Sequence, residues 1–269
     1  MLAYWLRICH SWRIALMVVV GVFLVGGLIY WWYAWMDSPD HYTTVSLHSS
    51  DNITPSQQFT SVVGRPIDVY VFGRGPRTVL VLAGMHGDEP ASVTLACALI
   101  HHLQALPESA IPQRVVVIPV VNPDGLVAHT RRNAHQIDLN RNFPTQDFDA
   151  GVHTGRYNGG RTAGSEPETQ AIMHITEYYK PALIISLHAP LGCINYDGPA
   201  GNIARRMARL DHFPVAEQLP NPSPGSLGAY YGKERGLPVI TLELTPGQRQ
   251  WARHGRALLD AIGMTTREE

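Results

Sequence analysis

The chain has 269 residues, 45% of them hydrophobic, and 21 Lys and Arg against 22 Asp and Glu give a formal net charge of -1. That length holds one large domain and an appendage, and the charge balance leaves no basic footprint for nucleic acid. Cys9, Cys97 and Cys193 are too few for a disulfide scaffold. A Cys97–Cys193 bridge is open to an exported domain, but two buried thiols are the expectation.

Residues 14–36 carry no charged side chain. As a helix they would span about 34 Å, against a bilayer hydrocarbon core of about 30 Å. An apolar run of that length beside an otherwise ordinary domain argues against a buried helix. A cleaved signal peptide would have a shorter apolar region with a small-x-small site after it. Tyr30, Trp31, Trp32, Tyr33 and Trp35 stand there instead, as an aromatic belt does at a membrane interface. The expectation is an uncleaved transmembrane anchor over 14–36. Arg7 and Arg13 precede it, and Asp37 and Asp40 follow it. The positive-inside rule then puts residues 1–13 in the cytoplasm and the rest of the chain outside, which for a bacterial inner membrane is the periplasm. Residues 37–60 are polar and aperiodic and are expected to be a linker. Residues 61–269 remain as the folded domain.

In that domain Pro66–Phe72 alternates as a strand and 78–83 is a buried strand run. The turn that follows carries His86 and Glu89, three apart, and Pro90 opens a helix that continues to 106. A second apolar strand, 114–121, is stopped by Asn122-Pro-Asp-Gly125. Residues 126–164 are rich in Arg, Asn, Gly and His; a long irregular segment inside a domain is usually functional. The spacing predicts a helix over 165–179 with Ser165 as its cap and Glu168 three residues on. A strand over 182–187 ends in His188. Helices are expected over 201–210, 227–235 and 249–262, a Pro-rich loop over 214–224, and a strand over 239–244 that contains Glu243. Strands alternating with helices predict an α/β domain with a mixed, largely parallel sheet flanked by helices.

Sites in such sheets form at the carboxyl ends of strands. His86, Glu89 and His188 make a His-Glu-His set with an open fourth position, as a catalytic zinc requires. His101 and His102 lie within a helix and read as a solvated edge. Glu243 is a carboxylate inside an apolar strand, costly to bury unless paired or functional. It suits a general base acting on zinc water; the bland alternative is a surface Glu on an alternating strand.

His86-Gly-Asp-Glu89, Asn122-Pro-Asp-Gly125, Arg131-Arg-Asn133, Asp138-Leu-Asn-Arg-Asn-Phe143, Ser186-Leu-His188 and Thr241-Leu-Glu243 occur in this order. In that wording the chain resembles the zinc carboxypeptidases of the carboxypeptidase A type. The resemblance covers nearly all of residues 65–250. It implies one zinc on His86, Glu89 and His188, with Glu243 as general base and acid. It implies Arg131 as the cation that stabilises the oxyanion, Asn140 and Arg141 as the holders of a substrate carboxylate, and Asp138 as the partner of His86. Either Arg131 or Arg132 could face inward, and the spacing to Asn133 favours Arg131. Arginines solvated at the surface and Asp138 as a turn cap are the plainer readings.

Leu139-Asn-Arg-Asn-Phe-Pro144, Gly164-Ser-Glu-Pro-Glu-Thr169 and Pro224-Gly-Ser226 are similar to the murein peptide amidases of that family. This implies short murein peptides as substrate, cut at the γ-D-glutamyl–meso-diaminopimelate bond. The far amino-carboxylate pair of diaminopimelate needs partners of both signs. Arg156, Arg161, Glu166 and Glu168 are the candidates, with Glu168 equally readable as a helix-capping carboxylate. Two departures stand out. That branch is soluble and cytoplasmic, whereas this chain begins with an apolar segment. The digestive carboxypeptidases also carry a mobile Tyr where this chain has 219–223 without one, and neither Tyr230 nor Tyr231 can be assigned to its place. Deacylases resembling succinylglutamate desuccinylase and aspartoacylase share the His-x-x-Glu and a later His, but the 138–143 stretch and Ser-Glu-Pro-Glu-Thr favour the peptidase. A non-catalytic tethered binding module would be expected to lose a ligand or the base, and here all four positions are filled.

Overall fold

Runs of Val, Leu and Ile build the centre of one sheet in four parallel strands: β3 (Thr78–Leu82), β4 (Arg114–Ile118), β5 (Leu183–His188) and β8 (Val239–Glu243). The computed structural model describes residues 53–151, 154–217, 223–247 and 249–264. The expected cytoplasmic tail, the anchor at 14–36 and residues 37–52 of the linker lie outside the described residues. Among the described residues no helix is long and apolar enough to cross a membrane.

Antiparallel strands flank the parallel centre. β2 (Pro66–Phe72) pairs with β4, and β1 (Gln57–Thr60) pairs with β2. On the other side β6 (Cys193–Asp197) runs antiparallel to β8 and carries the short β7 (Val215–Ala216). The order is β1-β2-β4-β3-β5-β8-β6-β7. The sheet is therefore mixed, and the parallel character expected of it is confined to the centre. β1 lies inside the span expected to be linker; its alternating exposure fits an edge strand with one face on the domain.

The central strands are apolar over most of their length because both faces are covered. Val79, Val81, Leu183 and Ile185 face a core built with α1 (Pro90–Gln104), α4 (Gly201–Asp211) and α5 (Gln250–Ile262). Leu80, Leu82 and Ile184 face the other core, where α3 (Pro167–Tyr179), Leu139, Phe143 and Tyr231 pack. Cys97 and Cys193 are buried free thiols, and burial pushes Cys97 up to about 12.

Three local expectations change. Asn122-Pro-Asp-Gly125 does more than stop a strand: Asn122 caps a short helix, α2 (Pro123–Ala128), by accepting the Gly125 N–H at 2.8 Å. Ser165 does not cap α3. The cap position is Glu166, and the Ser165 hydroxyl donates to the Glu166 carboxylate at 2.6 Å instead. The helix expected at 227–235 is a π-helical stretch, Gly228–Lys233.

Candidate active site

The loop between β3 and α1 must turn sharply to bring His86 and Glu89 over the strand ends. It does so by touching α2 backbone to backbone: a Cβ on Gly87 would lie 1.9 Å from the Gly125 carbonyl carbon. Asp124, next to that contact, ties α2 to the 61–65 turn through Ser61, the Val63 N–H and Arg65. His188 is the last residue of β5 and Glu243 the last of β8, and they stand opposite each other in the parallel register. Four side chains from three separate stretches thus meet at the carboxyl ends of three adjacent strands.

Candidate ligand atoms of His86, Glu89 and His188 lie within 4.8 Å of one another, and all three residues are buried. The Nδ1 atoms of the two rings face each other at 3.2 Å. The carboxylate of Glu89 spans them, with Oε1 at 2.8 Å from His86 Nδ1 and Oε2 at 3.0 Å from His188 Nδ1. Each ring is held by its other nitrogen, His86 Nε2 by Asp138 at 3.0 Å and His188 Nε2 by the Ser186 hydroxyl at 3.0 Å. Two oriented imidazoles and one carboxylate on a common centre are the donor set of a catalytic zinc. Burial alone would lower the His86 pKa, but the charges of Glu89 and Asp138 outweigh it and hold the ring at about 9. Glu89 is likewise pulled well below the usual carboxylate range by His86 and His188, against its burial. Glu243 moves the other way, raised by burial against the pull of His188.

Arg131, and not Arg132, faces this centre. Its Nε donates to Asp138 at 2.8 Å and its NH1 to Glu89 at 3.1 Å. Arg132 is turned outward to the Gly155 carbonyl. Asp138 therefore holds both His86 and Arg131. Arg141 is buried too; burial lowers its pKa, and among the described residues it forms no ion pair. The turn that carries it is gripped by two glycines: a Cβ on Gly159 or Gly225 would come within 2.5 or 2.1 Å of the Arg141 carbonyl oxygen. This explains why the Pro-Gly-Ser stretch accompanies the Asn-Arg-Asn-Phe stretch. Asn140 accepts the Leu227 N–H through Oδ1 at 2.9 Å.

His86, Glu89, His188, Glu243, Arg131, Asn140 and Arg141 line one pocket of about 190 Å³, joined by Arg156, Tyr157, Leu191 and Ser223. Of the four candidates for a second charged pair, only Arg156 is in the pocket, in an ion pair with Asp88 at 3.3 Å. Arg161, Glu166 and Glu168 are not. Glu166 and Glu168 are buried and both accept from Asn133, at 2.8 and 3.0 Å; Glu168 also accepts the Val62 N–H. Tyr230 and Tyr231 pack against Phe143, away from the pocket. The tyrosine that does line it, Tyr157, lies in the irregular 126–164 segment. The only sign of it in the sequence is the irregularity of that segment.

A hydrolytic zinc centre needs three protein donors, a fourth side left accessible and cationic surroundings for a developing negative charge. The fold and the site together define a zinc-dependent hydrolase of mixed α/β, carboxypeptidase-like architecture. The chain belongs to the zinc carboxypeptidase family, whose model matches residues 43–218, and its cofactor is zinc. It is 34% identical over 212 residues to murein peptide amidase A of Vibrio campbellii, covering 72% of this chain and 80% of that one. It is 37% identical over 179 residues to murein peptide amidase A of Escherichia coli K12, covering 62% of this chain and 71% of that one. Among solved structures, a murein-tripeptide amidase from Escherichia coli O157 superposes with a TM-score of 0.65 at 29% identity, over 81% of this chain and 96% of that one. Carboxypeptidase A from Helicoverpa armigera, at 19% identity and a TM-score of 0.66 over 78% of this chain and 68% of that one, shares the fold.

Proposed function

We propose that the protein hydrolyses amide bonds in short murein peptides, at the bond between γ-D-glutamate and meso-diaminopimelate, from a periplasmic position at the inner membrane. The observation that carries the reading is Arg141, a buried guanidinium without an ion-pair partner among the described residues, on the wall of the pocket that holds the metal donor set. A planar guanidinium so placed takes a carboxylate in two parallel hydrogen bonds and fixes which amide reaches the centre. The murein peptide amidases that the chain resembles supply the identity of the peptide.

His86, Glu89 and His188 hold the zinc, which when bound lowers the pKa of a water and polarises a carbonyl. Glu243, its pKa raised by burial, takes the proton from the attacking water and returns it to the leaving amine. Arg131 donates to the oxygen on which negative charge develops, an interaction stronger in the transition state than in the ground state. Asn140 has its Oδ1 committed to Leu227, so its Nδ2 donates beside Arg141 to the substrate carboxylate. Residues 14–36 anchor the chain, with 1–13 in the cytoplasm, 37 to the start of β1 as tether, and the catalytic domain outside.

The test is incubation of the zinc-loaded protein with L-Ala-γ-D-Glu-meso-diaminopimelate and with the same tripeptide ending in lysine, read by mass. The expected products are free diaminopimelate and L-Ala-D-Glu. A preference for diaminopimelate of about one to two orders of magnitude fits a site that reads the far carboxylate. Equal rates would sink that preference, and no cleavage of either would sink the murein reading. For the topology, a reporter fused at residue 269 and active only after export should be active; activity only in a cytoplasm-dependent reporter reverses the orientation.

A further inference from the structure

We propose that Tyr157 is a positioning residue whose ring face holds the guanidiniums of Arg131 and Arg141 in the orientation that meets substrate. The proposal rests on the roles given above to those two arginines. The Tyr157 ring centroid is 5.4 Å from Arg131 Cζ and 5.1 Å from Arg141 Cζ, both within the range of cation–π attraction. Two like charges in one small pocket repel each other, and Arg131 is among the groups that lower the Arg141 pKa. Arg131 has Asp138 and Glu89 to hold it. Among the described residues Arg141 makes no ion pair; its NH1 donates to the Asn140 carbonyl at 2.7 Å, and Asp138 attracts it without direct contact. The ring face adds a restraint in direct contact, and it leaves the remaining in-plane N–H groups for a carboxylate.

The ring is only partly covered and lines the pocket beside both arginines. Tyr157 is 40% exposed, one of the few large hydrophobic residues at the surface among the described residues. Its backbone, in contrast, is fixed. Asn158, next in the chain, receives the Asp138 N–H at 2.7 Å and donates its side chain to the Gln136 carbonyl at 2.6 Å. The Gly159 carbonyl accepts from Asn142 at 2.9 Å. The segment that carries Asp138, Asn140 and Arg141 is therefore the one that sets the place of the ring.

The test uses the full-length, zinc-loaded protein with Tyr157→Leu, Tyr157→Phe, and phenylalanines bearing one, two and three ring fluorines at position 157. Fluorine withdraws charge from the ring face while nearly preserving its shape. Tyr157→Leu is expected to lose about ten- to thirty-fold in kcat/KM on the tripeptide, with KM raised through Arg141 and kcat lowered through Arg131. Tyr157→Phe should recover most of that loss, and the fluorinated series should fall stepwise. Equal rates in the Leu and Phe variants, or a flat fluorine series, would overturn the proposal. A second measurement needs no substrate: the Nε–H resonances of Arg131 and Arg141 should be ring-shifted in the parent and Tyr157→Phe and should lose that shift in Tyr157→Leu. Unchanged resonances also overturn it. If the parent does not cleave the tripeptide, the murein reading fails, and the resonances still decide for or against Tyr157.

Discussion

Gly87 and Gly125 are in backbone contact: the loop that presents His86 and Glu89 rests on the first turn of α2 with no room for a Cβ between them. The metal donors are thus seated on another element, and α2 is seated in turn by Asp124 on the 61–65 turn.

Gly87→Ala should therefore act on the metal site through shape alone. The clash is with backbone, which cannot swing aside, so a destabilisation of about 1–3 kcal/mol or more is expected, with a loss of zinc stoichiometry. Gly64, at φ +83 with nothing within 4 Å, is the control: alanine there meets backbone strain but no neighbour. Thermal unfolding and metal analysis on both variants check this, and a Gly87→Ala protein with full zinc would disprove it.

Glu243→Gln should keep the fold and the zinc, because Glu243 is outside the donor set. Turnover should fall roughly 10²–10⁴-fold, the usual range for loss of a general base. Metal content and steady-state kinetics on one preparation separate the two effects. A near-normal rate would move the base elsewhere.

Zinc binding should be coupled to protons. In the metal-free protein the His86 pKa is held at about 9, so the ring is charged at neutral pH and must lose that proton to become a ligand. Calorimetry of zinc uptake at pH 7, in buffers of different ionisation enthalpy, should show release of about one proton. The same shift has a stability sign. The folded pKa lies above the ordinary value of 6.5, so the metal-free protein gains from charged His86 below about pH 6.5 and loses that gain as pH rises through 9. The zinc-loaded protein should not show this loss. A proton count of zero excludes a charged His86.

Asp138 is fully buried and holds His86 Nε2 with one oxygen and Arg131 Nε with the other. Asp138→Asn replaces one of those acceptors with a donor. Zinc affinity should fall about 10–100-fold, and kcat at saturating zinc should fall as well, because Arg131 loses its anchor. If saturating zinc restores full kcat, the Arg131 bond carries no function.

The central strands were legible in the sequence because a strand buried on both faces must be apolar at every position, as Val79 to Leu82 are. His86, Glu89 and His188 were legible because they stand just past the ends of those runs, and Glu243 because it interrupts one. β1, β6 and β7 were not: they are short and lie in the outer parts of the sheet, and Cys193-Ile-Asn-Tyr-Asp197 has no long apolar pattern to mark it. The choice between Arg131 and Arg132 needed the partner, since Asp138 is what turns one of them inward. Glu166 and Glu168 look like ligands for a cation in the sequence, and only the fold shows that Asn133 and the Val62 N–H already occupy them. Tyr157 shares no local pattern with the arginines it faces; the contact exists only once 136–142 and 157–160 are tied together.

β8 comes late in the chain yet sits between β5 and β6, inside the sheet, and its last residue is Glu243. A ribosome that has released everything through β7 has made all three metal donors but not the carboxylate opposite His188, and the slot beside β5 is still empty. A chain that ends before β8 therefore lacks both the Glu243 carboxylate and the strand that lies beside β5. The four-residue site is complete only with β8, late in the chain, seated in the middle of the sheet.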